Sequence, residues 1–564
     1  MSKIIWIYSR IEFQNRTKDK LNEICSFLTP DNLVPNPHKI HLNGKCAYGI
    51  LNPKNNISFK NDSVSLGVFF GNCENWSSPG TEVPDGNFAL FRSNENMSEI
   101  ITDVSASRTI WYYFNDEVFI ASTSQFAITK YIDSFVINRL VIPWMLTTGT
   151  LGPGNSWDER IKKMPPNSLL TLNHSNWSIE LFTEQIPFGN PKSKEIGQEE
   201  LNEKIFESFR SIDLGGVNWT LPLSGGYDSR GILFYLKSTI DEKIKTITWG
   251  LPDSIEDRTS DAYIAKRLTD LLDVSNNFVK TDFSQETFQI IFERFVKNGE
   301  GRIDHISGYL DGFKIWNDLH EGGIDLIIRG DENFGWHSAA TEKDVLSTLG
   351  ISYYNEYPFL KEHLERYSFI QELPQSLKKR SEETIPQWRD RLYHQYRLQN
   401  LISCLGELKC SYVEQIVPLL TKNILKATYL MPDENRTNKI VWRKIVEGFE
   451  PRIEFASSAA IANTENIFHS EKVVSFLKAY LSSHKNNEMF DEGFMNEIIR
   501  NVRHNEKTLT HIQKLTFKKF IKKFIPDKVY SKIKNEFQIK RDIDPNVLAF
   551  RVCIIIFINE LLRN

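Results

Sequence analysis

Leu221–Arg230 reads LPLSGGYDSR. It closes the strand-like run VNWTLPL (217–223) and opens the helical run SRGILFYLKSTI (229–240). A strand, a tight turn and a helix in that order place the turn where ligands of open α/β sheets bind, outside the carboxyl ends of the strands. Gly225 and Gly226 keep side chains out of the approach path, so consecutive backbone N–H groups can face one anion at the helix N-terminus. Ser224 and Ser229 add hydroxyl donors. Asp228 would repel a phosphate unless a metal lay between them, and Mg²⁺ suits a carboxylate together with phosphate oxygens. GxxxxGK[ST] and GxGxxG are both missing from this stretch, so neither a Walker loop nor a dinucleotide fingerprint is present there.

Outward from this loop, KTITWG (245–250), NNFVKT (276–281) and IDLIIRG (324–330) read as further strands separated by helical sequence such as RTSDAYIAKRLTDLL (258–272). Strands spaced by helices predict a parallel sheet covered on both faces. Beyond residue 340 the chain reads mostly helical. Before residue 190, SVSLGVFFG, GNFALFR, RTIWYYF and EVFIAST alternate with turn residues, which predicts an α+β domain rich in strands. The polar stretch 188–198, FGNPKSKEIGQ, is the natural linker. The domains expected are therefore 1–190 and 198–564.

The bulk numbers exclude several classes. A net charge of -4 gives no general attraction to nucleic acid or acidic membranes. Six scattered cysteines without CxxC, and twelve histidines without HExxH, predict reduced thiols, a cytoplasmic protein and no zinc site. The apolar run 547–562, VLAFRVCIIIFINELL, is shorter than a bilayer needs and contains Arg551 and Glu560, so a buried helix is expected. The Lys-rich segment 507–541 reads as a solvated helix face.

SGGYDS after a strand resembles the pyrophosphate loop of the N-type ATP pyrophosphatases. Most of the chain resembles the asparagine synthetase superfamily, which includes β-lactam synthetase and the lasso peptide cyclases. The resemblance is carried by LPLSGGYDSR, by WGLPDSIEDRTSDAYIAKRL (249–268), by RGDENFG (329–335), by SYVEQIVPLLTKNILKATYLMP (411–432) and by RTNKIVWRKIVEG (436–448). VPDGNFALFR, DVSASRTIWYY and VFIASTS resemble the later half of a class II glutamine amidotransferase domain, a β sandwich, and IKKMPPNSLLTLN the join between the two domains.

That resemblance implies an ATP-dependent, AMP-forming enzyme that joins a small-molecule or peptide carboxylate to ammonia or an amine. It implies ATP contacts at Leu223, Ser224, Gly225, Gly226, Asp228, Ser229, Trp249 and Gly330. It implies Mg²⁺ between Asp228 and Asp331, and Glu414 on a helix as the group that orients or deprotonates the acceptor. A homodimer is compatible with it. Lasso-type cyclisation of a peptide and a non-catalytic ATP-binding scaffold are the alternatives.

Three departures shape these expectations. Ser2 stands where the amidotransferases carry a nucleophilic Cys, so glutamine is not expected to be the direct nitrogen donor. RGDENFG is shorter than the family loop. EPRIEFASSAAI (450–461) has Ser and Ala where the family has a catalytic Lys, so Arg452 or a Lys from elsewhere has to supply that charge.

Overall fold

The structure is a computed structural model that describes residues 3–186, 196–281, 285–461, 467–504 and 542–563. Ser2, most of the stretch 188–198 and the Lys-rich segment 507–541 lie outside these residues.

The first part is built on two six-stranded antiparallel sheets. Period-two alternation along the first strand, Ile4–Ser9, explains the layering. Ile4 and Trp6 point into the core between the sheets, while Ile5 and Ile7 pack on the opposite face with Leu21 and Ile24 of the helix Arg16–Leu28. The strands expected around GNFALFR and EVFIAST form as Gly86–Ser93 and Val118–Ser122.

The second part holds a five-stranded parallel sheet. Its spatial order is Ser275–Lys280, Lys245–Gly250, Trp219–Pro222, Leu326–Ile328 and Glu414–Ile416. Four of these strands coincide with runs read from the sequence. The fifth, Glu414–Ile416, replaces the helix expected at Glu414 and pairs in register with Leu326–Ile328. Helices Tyr227–Thr239 and Asp261–Leu272 follow their strands as expected, the latter capped by Ser260, which accepts the Tyr263 N–H.

The helix Pro545–Arg563 is the one described helix long and apolar enough to cross a membrane. Here Phe550 packs edge-on against Phe292 and Phe468, and Arg551 is ion-paired with Asp304.

The two parts are joined by buried polar contacts. Arg108 meets Glu414, the Val417 N–H donates to Asn87, and Glu300 accepts from Lys3 and the Gln125 N–H. Arg302 pairs with Glu407 and donates to Thr109.

Candidate active site

The C-terminal ends of the central strands open into a cavity of about 320 Å³. Leu223, Ser224, Trp249, Gly330 and Asp331 line it, so five of the residues chosen from the sequence share one cavity. Asp261, Trp316, Arg329, Lys409 and the segment Ala459–Ile461 are also in the wall. The indoles of Trp249 and Trp316 meet edge to face with centroids 5.4 Å apart.

Around the phosphate loop the N–H groups converge on oxygen atoms. The Ser224 N–H donates to the Ser229 hydroxyl at 3.1 Å, and the Gly226 N–H to the Ser224 hydroxyl at 3.3 Å. The Gly225 N–H donates to a carboxylate oxygen of Asp261 at 3.1 Å.

Neither loop glycine has positive φ among the described backbone torsions. Gly225 is instead required by close approach, since a Cβ there would lie 2.5 Å from Ala456 Cβ and 2.9 Å from Ile264 Cβ. Gly225→Ala is therefore expected to destabilise the fold by about 1–3 kcal/mol through overpacking. Urea unfolding would register this as a lower midpoint at unchanged slope.

The segment EPRIEFASSAAI drapes over this loop. The Ala456 N–H donates to the Gly225 carbonyl, the Phe455 ring stacks on Tyr227, and Arg230 donates to the Ile453 and Glu454 carbonyls. At the cavity it presents Ala459 and Ala460, with no cation. Arg452 is exposed and paired with Glu450, so it does not supply the absent charge.

A different cation, Lys439, contacts the loop itself. Its Nζ lies 3.2 Å from Asp228 Oδ2 and 2.5 Å from Glu332 Oε1. Asn438 and Lys439 both hold left-handed backbone, with φ of 58° each. Asn tolerates that conformation, whereas a Lys in it is strained, and such strain concentrates at functional sites. Asn438 is anchored by its N–H on the Trp336 carbonyl and by its side chain on the Ser338 N–H. Trp442, on the helix Ile440–Glu447, donates from Nε1 to Asp228 Oδ1 at 2.8 Å and stacks on Phe334 of RGDENFG.

Asp228 and Asp331, expected to share a metal, make different ion pairs. Asp331 makes a two-point pair with Arg329, at 2.9 and 3.0 Å, while the adjacent Glu332 reaches Asp228 through Lys439. Gly330 backs directly onto the start of the loop helix, where a Cβ would lie 3.0 Å from Asp228 Cβ. Burial raises the Glu332 carboxyl, and Asp228 adds to this while Lys439 opposes it. Burial also holds the Tyr393 phenol well above its ordinary range, reinforced by Glu332, Asp331 and Asp228.

Asp228 and Glu332 converging on a single ammonium fits the few-carboxylate set that Mg²⁺ takes when phosphate and water fill its other positions. Among the described residues, no three His, Cys, Asp or Glu form a ready-made metal cage.

Glu414 lies apart from this group. It begins its strand, at the end of the sheet opposite the phosphate loop, and it is wholly buried against Arg108 at 2.5 Å and Asn56 at 3.0 Å. Burial alone would raise its carboxyl. The Arg108 guanidinium and the Asn56 amide are among the groups that pull it below the usual value.

Near Lys3, at the head of the first strand, the cavity is only about 20 Å³, enough for about one water. A separate cavity of about 310 Å³, between Met164–Asn167 and the helical segment around His394, holds none of the residues chosen from the sequence.

No family model matches the chain, and no curated protein matches it. Among solved structures it is similar to the allosteric regulatory enzyme of purine biosynthesis, with 10% identity and a TM-score of 0.22, over 51% of this chain and 69% of that one. It is also similar to the glutamine phosphoribosylpyrophosphate amidotransferase of B. subtilis complexed with ADP and GMP. That match has 10% identity and a TM-score of 0.20, over 49% of this chain and 65% of that one. Likeness at this level transfers neither family nor activity to the chain.

Proposed function

We propose that this chain is an ATP-dependent, AMP-forming ligase of the asparagine synthetase kind, which adenylylates a carboxylate and passes the acyl group to ammonia or an amine. The observation that carries the reading is Lys439 clamped between Asp228 of the SGGYDS loop and Glu332 of RGDENFG, beside a cavity over the ends of a parallel sheet.

In this reading the adenosine lies against Leu223, Trp249 and Gly330. The Ser224–Gly226 N–H groups and the Ser224 and Ser229 hydroxyls hold the β- and γ-phosphates. Asp228, with Glu332 or Asp331, would hold Mg²⁺, which supplies charge neutralisation on the phosphates when bound. The carboxylate attacks the α-phosphorus, the bond to the bridging oxygen breaks, and pyrophosphate leaves. Lys439 and the loop donors offset the charge that develops on that leaving group. The nitrogen nucleophile then attacks the acyl carbon and AMP departs.

Carboxylate-dependent ATP–pyrophosphate exchange over a panel of acids, without glutamine, tests the reading. Exchange is expected with at least one acid, and Asp228→Ala should remove it while circular dichroism stays unchanged. Exchange that survives in Asp228→Ala would sink the assignment.

A further inference from the structure

We propose that the cavity between Met164–Asn167 and the helical segment around His394 binds a small monocarboxylic acid with an apolar body, whose carboxylate pairs with Lys163. The volume is about 310 Å³. That is at the lower end of the roughly 300–1,000 Å³ common for small-molecule sites. The cavity shares no lining residue with the one over the parallel sheet, so it is a second site.

One wall is a π-helix. The helix Ile385–Leu392 runs on into π-helical backbone over Tyr393–Ile402. Hydrogen bonds from i to i+5 bring residues five apart onto one face, and such helices are rare and gather at functional sites. His394 and Gln399 are five apart, as are Gln395 and Asn400, and all four line the cavity. The wall is fixed in place. His394 is only 5% exposed, and one tautomer fits its neighbours. Its Nε2–H donates to the Val104 carbonyl at 2.8 Å, so Nδ1 accepts from the Tyr429 hydroxyl at 2.9 Å. That hydroxyl accepts in turn from the side-chain amide of Asn333 at 2.8 Å. A wall ordered before its ligand arrives loses little entropy on binding.

The apolar surface comes from both parts of the chain. Met164, Pro165 and Ile186 supply it from the first, Pro374 and Leu377 from the second. These side chains accept an alkyl or ring body and offer it no hydrogen bonds.

The charge of the wall decides the polar end of the ligand. Lys163 and Glu184 are the charged residues among those lining the cavity, and burial holds the His394 imidazole neutral at about 4. Glu184 is already paired with Lys422 and Lys426. Lys163 has no carboxylate partner among the described residues. Its backbone is fixed by strand pairing with Trp111, and its Nζ donates to the Gln399 carbonyl at 2.8 Å. Burial, and after it Arg302, lower the amine to about 8, which leaves it mostly charged at neutral pH. A partly buried ammonium with a single neutral acceptor is costly, and a carboxylate is the group that satisfies it.

Saturation-transfer NMR on the full chain tests this, with hexanoate and its neutral counterpart hexanamide as probes. The wild-type chain is expected to bind hexanoate about tenfold more tightly than hexanamide, the usual effect of one charge-assisted hydrogen bond. Lys163→Met keeps the aliphatic stem and should abolish the preference, whereas Lys163→Arg should retain most of it. Ile186→Trp adds bulk at a lining position and should weaken both probes. Circular dichroism checks the fold of each variant, and if Lys163→Met does not fold, Lys163→Arg and Ile186→Trp still decide.

No saturation transfer from either probe at about 10 mM would overturn the proposal, and so would equal affinity for the two. A preference for hexanoate that survives Lys163→Met would place the acid on a different cation and overturn it as well. Unchanged binding of both probes in Ile186→Trp would do the same for the cavity.

Discussion

Lys439→Met is expected to lower carboxylate-dependent pyrophosphate exchange by about 10²–10³-fold, the usual effect of removing one preorganised group that meets developing charge. The side chain is held between carboxylates on two different loops, so its ammonium is placed before substrate arrives and needs no reorganisation during reaction. Without it, Asp228 and Glu332 face each other uncompensated. Added Mg²⁺ should then recover ATP binding more than it recovers rate, because the metal replaces the charge between the carboxylates but not the donor aimed at the leaving group. Lys439→Arg keeps the charge on a bulkier, planar head and should lose about tenfold or less. Arg452→Met provides the contrast: Arg452 is exposed and paired with Glu450, and its removal should leave exchange unchanged. Equal losses from Lys439→Met and Arg452→Met would show that neither is the specific replacement for the family's Lys. A full loss confined to Lys439 also removes the main support for a non-catalytic scaffold, which rested on the absence of a Lys from EPRIEFASSAAI.

Legibility in the sequence followed the range over which each feature is determined. The phosphate loop is local: strand, two glycines and helix are contiguous, and Leu223, Ser224, Trp249 and Gly330 lie at strand ends that the apolar runs reveal. Glu414 was harder. A three-residue strand buried on both faces has no period to read, and its flanks fit a helix equally well. Its pairing with Leu326–Ile328 is a tertiary decision. Lys439 stands in RTNKIVWRK, where nothing distinguishes one cation from the next. Its place depends on two successive left-handed residues, only one of which, Asn438, belongs to a type that favours that conformation. The different ion pairs of Asp331 and Glu332 have the same origin. Adjacent residues in an irregular loop point in different directions, and only the positions of Arg329 and Lys439 decide which carboxylate goes where.

Arg108→Met is expected to destabilise the chain by about 3–5 kcal/mol, the cost of leaving a buried charge without its partner. Both side chains of the pair are 0% exposed, and they join a bend of the first part to a strand of the second. Arg108 also donates to the Asn87 and Gln415 carbonyls, so the guanidinium ties the strand Gly86–Ser93 to the strand Glu414–Ile416. The sign of the pH dependence separates a structural pair from a catalytic carboxylate. In the wild type the Glu414 carboxyl lies below its unfolded value. Its contribution is therefore present above the unfolded pKa and lost as pH falls through the folded one. In Arg108→Met, burial is left to act with its main opponent gone and should carry the folded value above the unfolded one. The penalty should then be largest at neutral pH and shrink as acid protonates Glu414, which urea midpoints at pH 5 and pH 7.5 or so would measure. Arg108→Met combined with Glu414→Leu replaces the pair by apolar volume and should restore most of the stability. A stable double variant that adenylylates but no longer forms the amide would assign the role of base to Glu414.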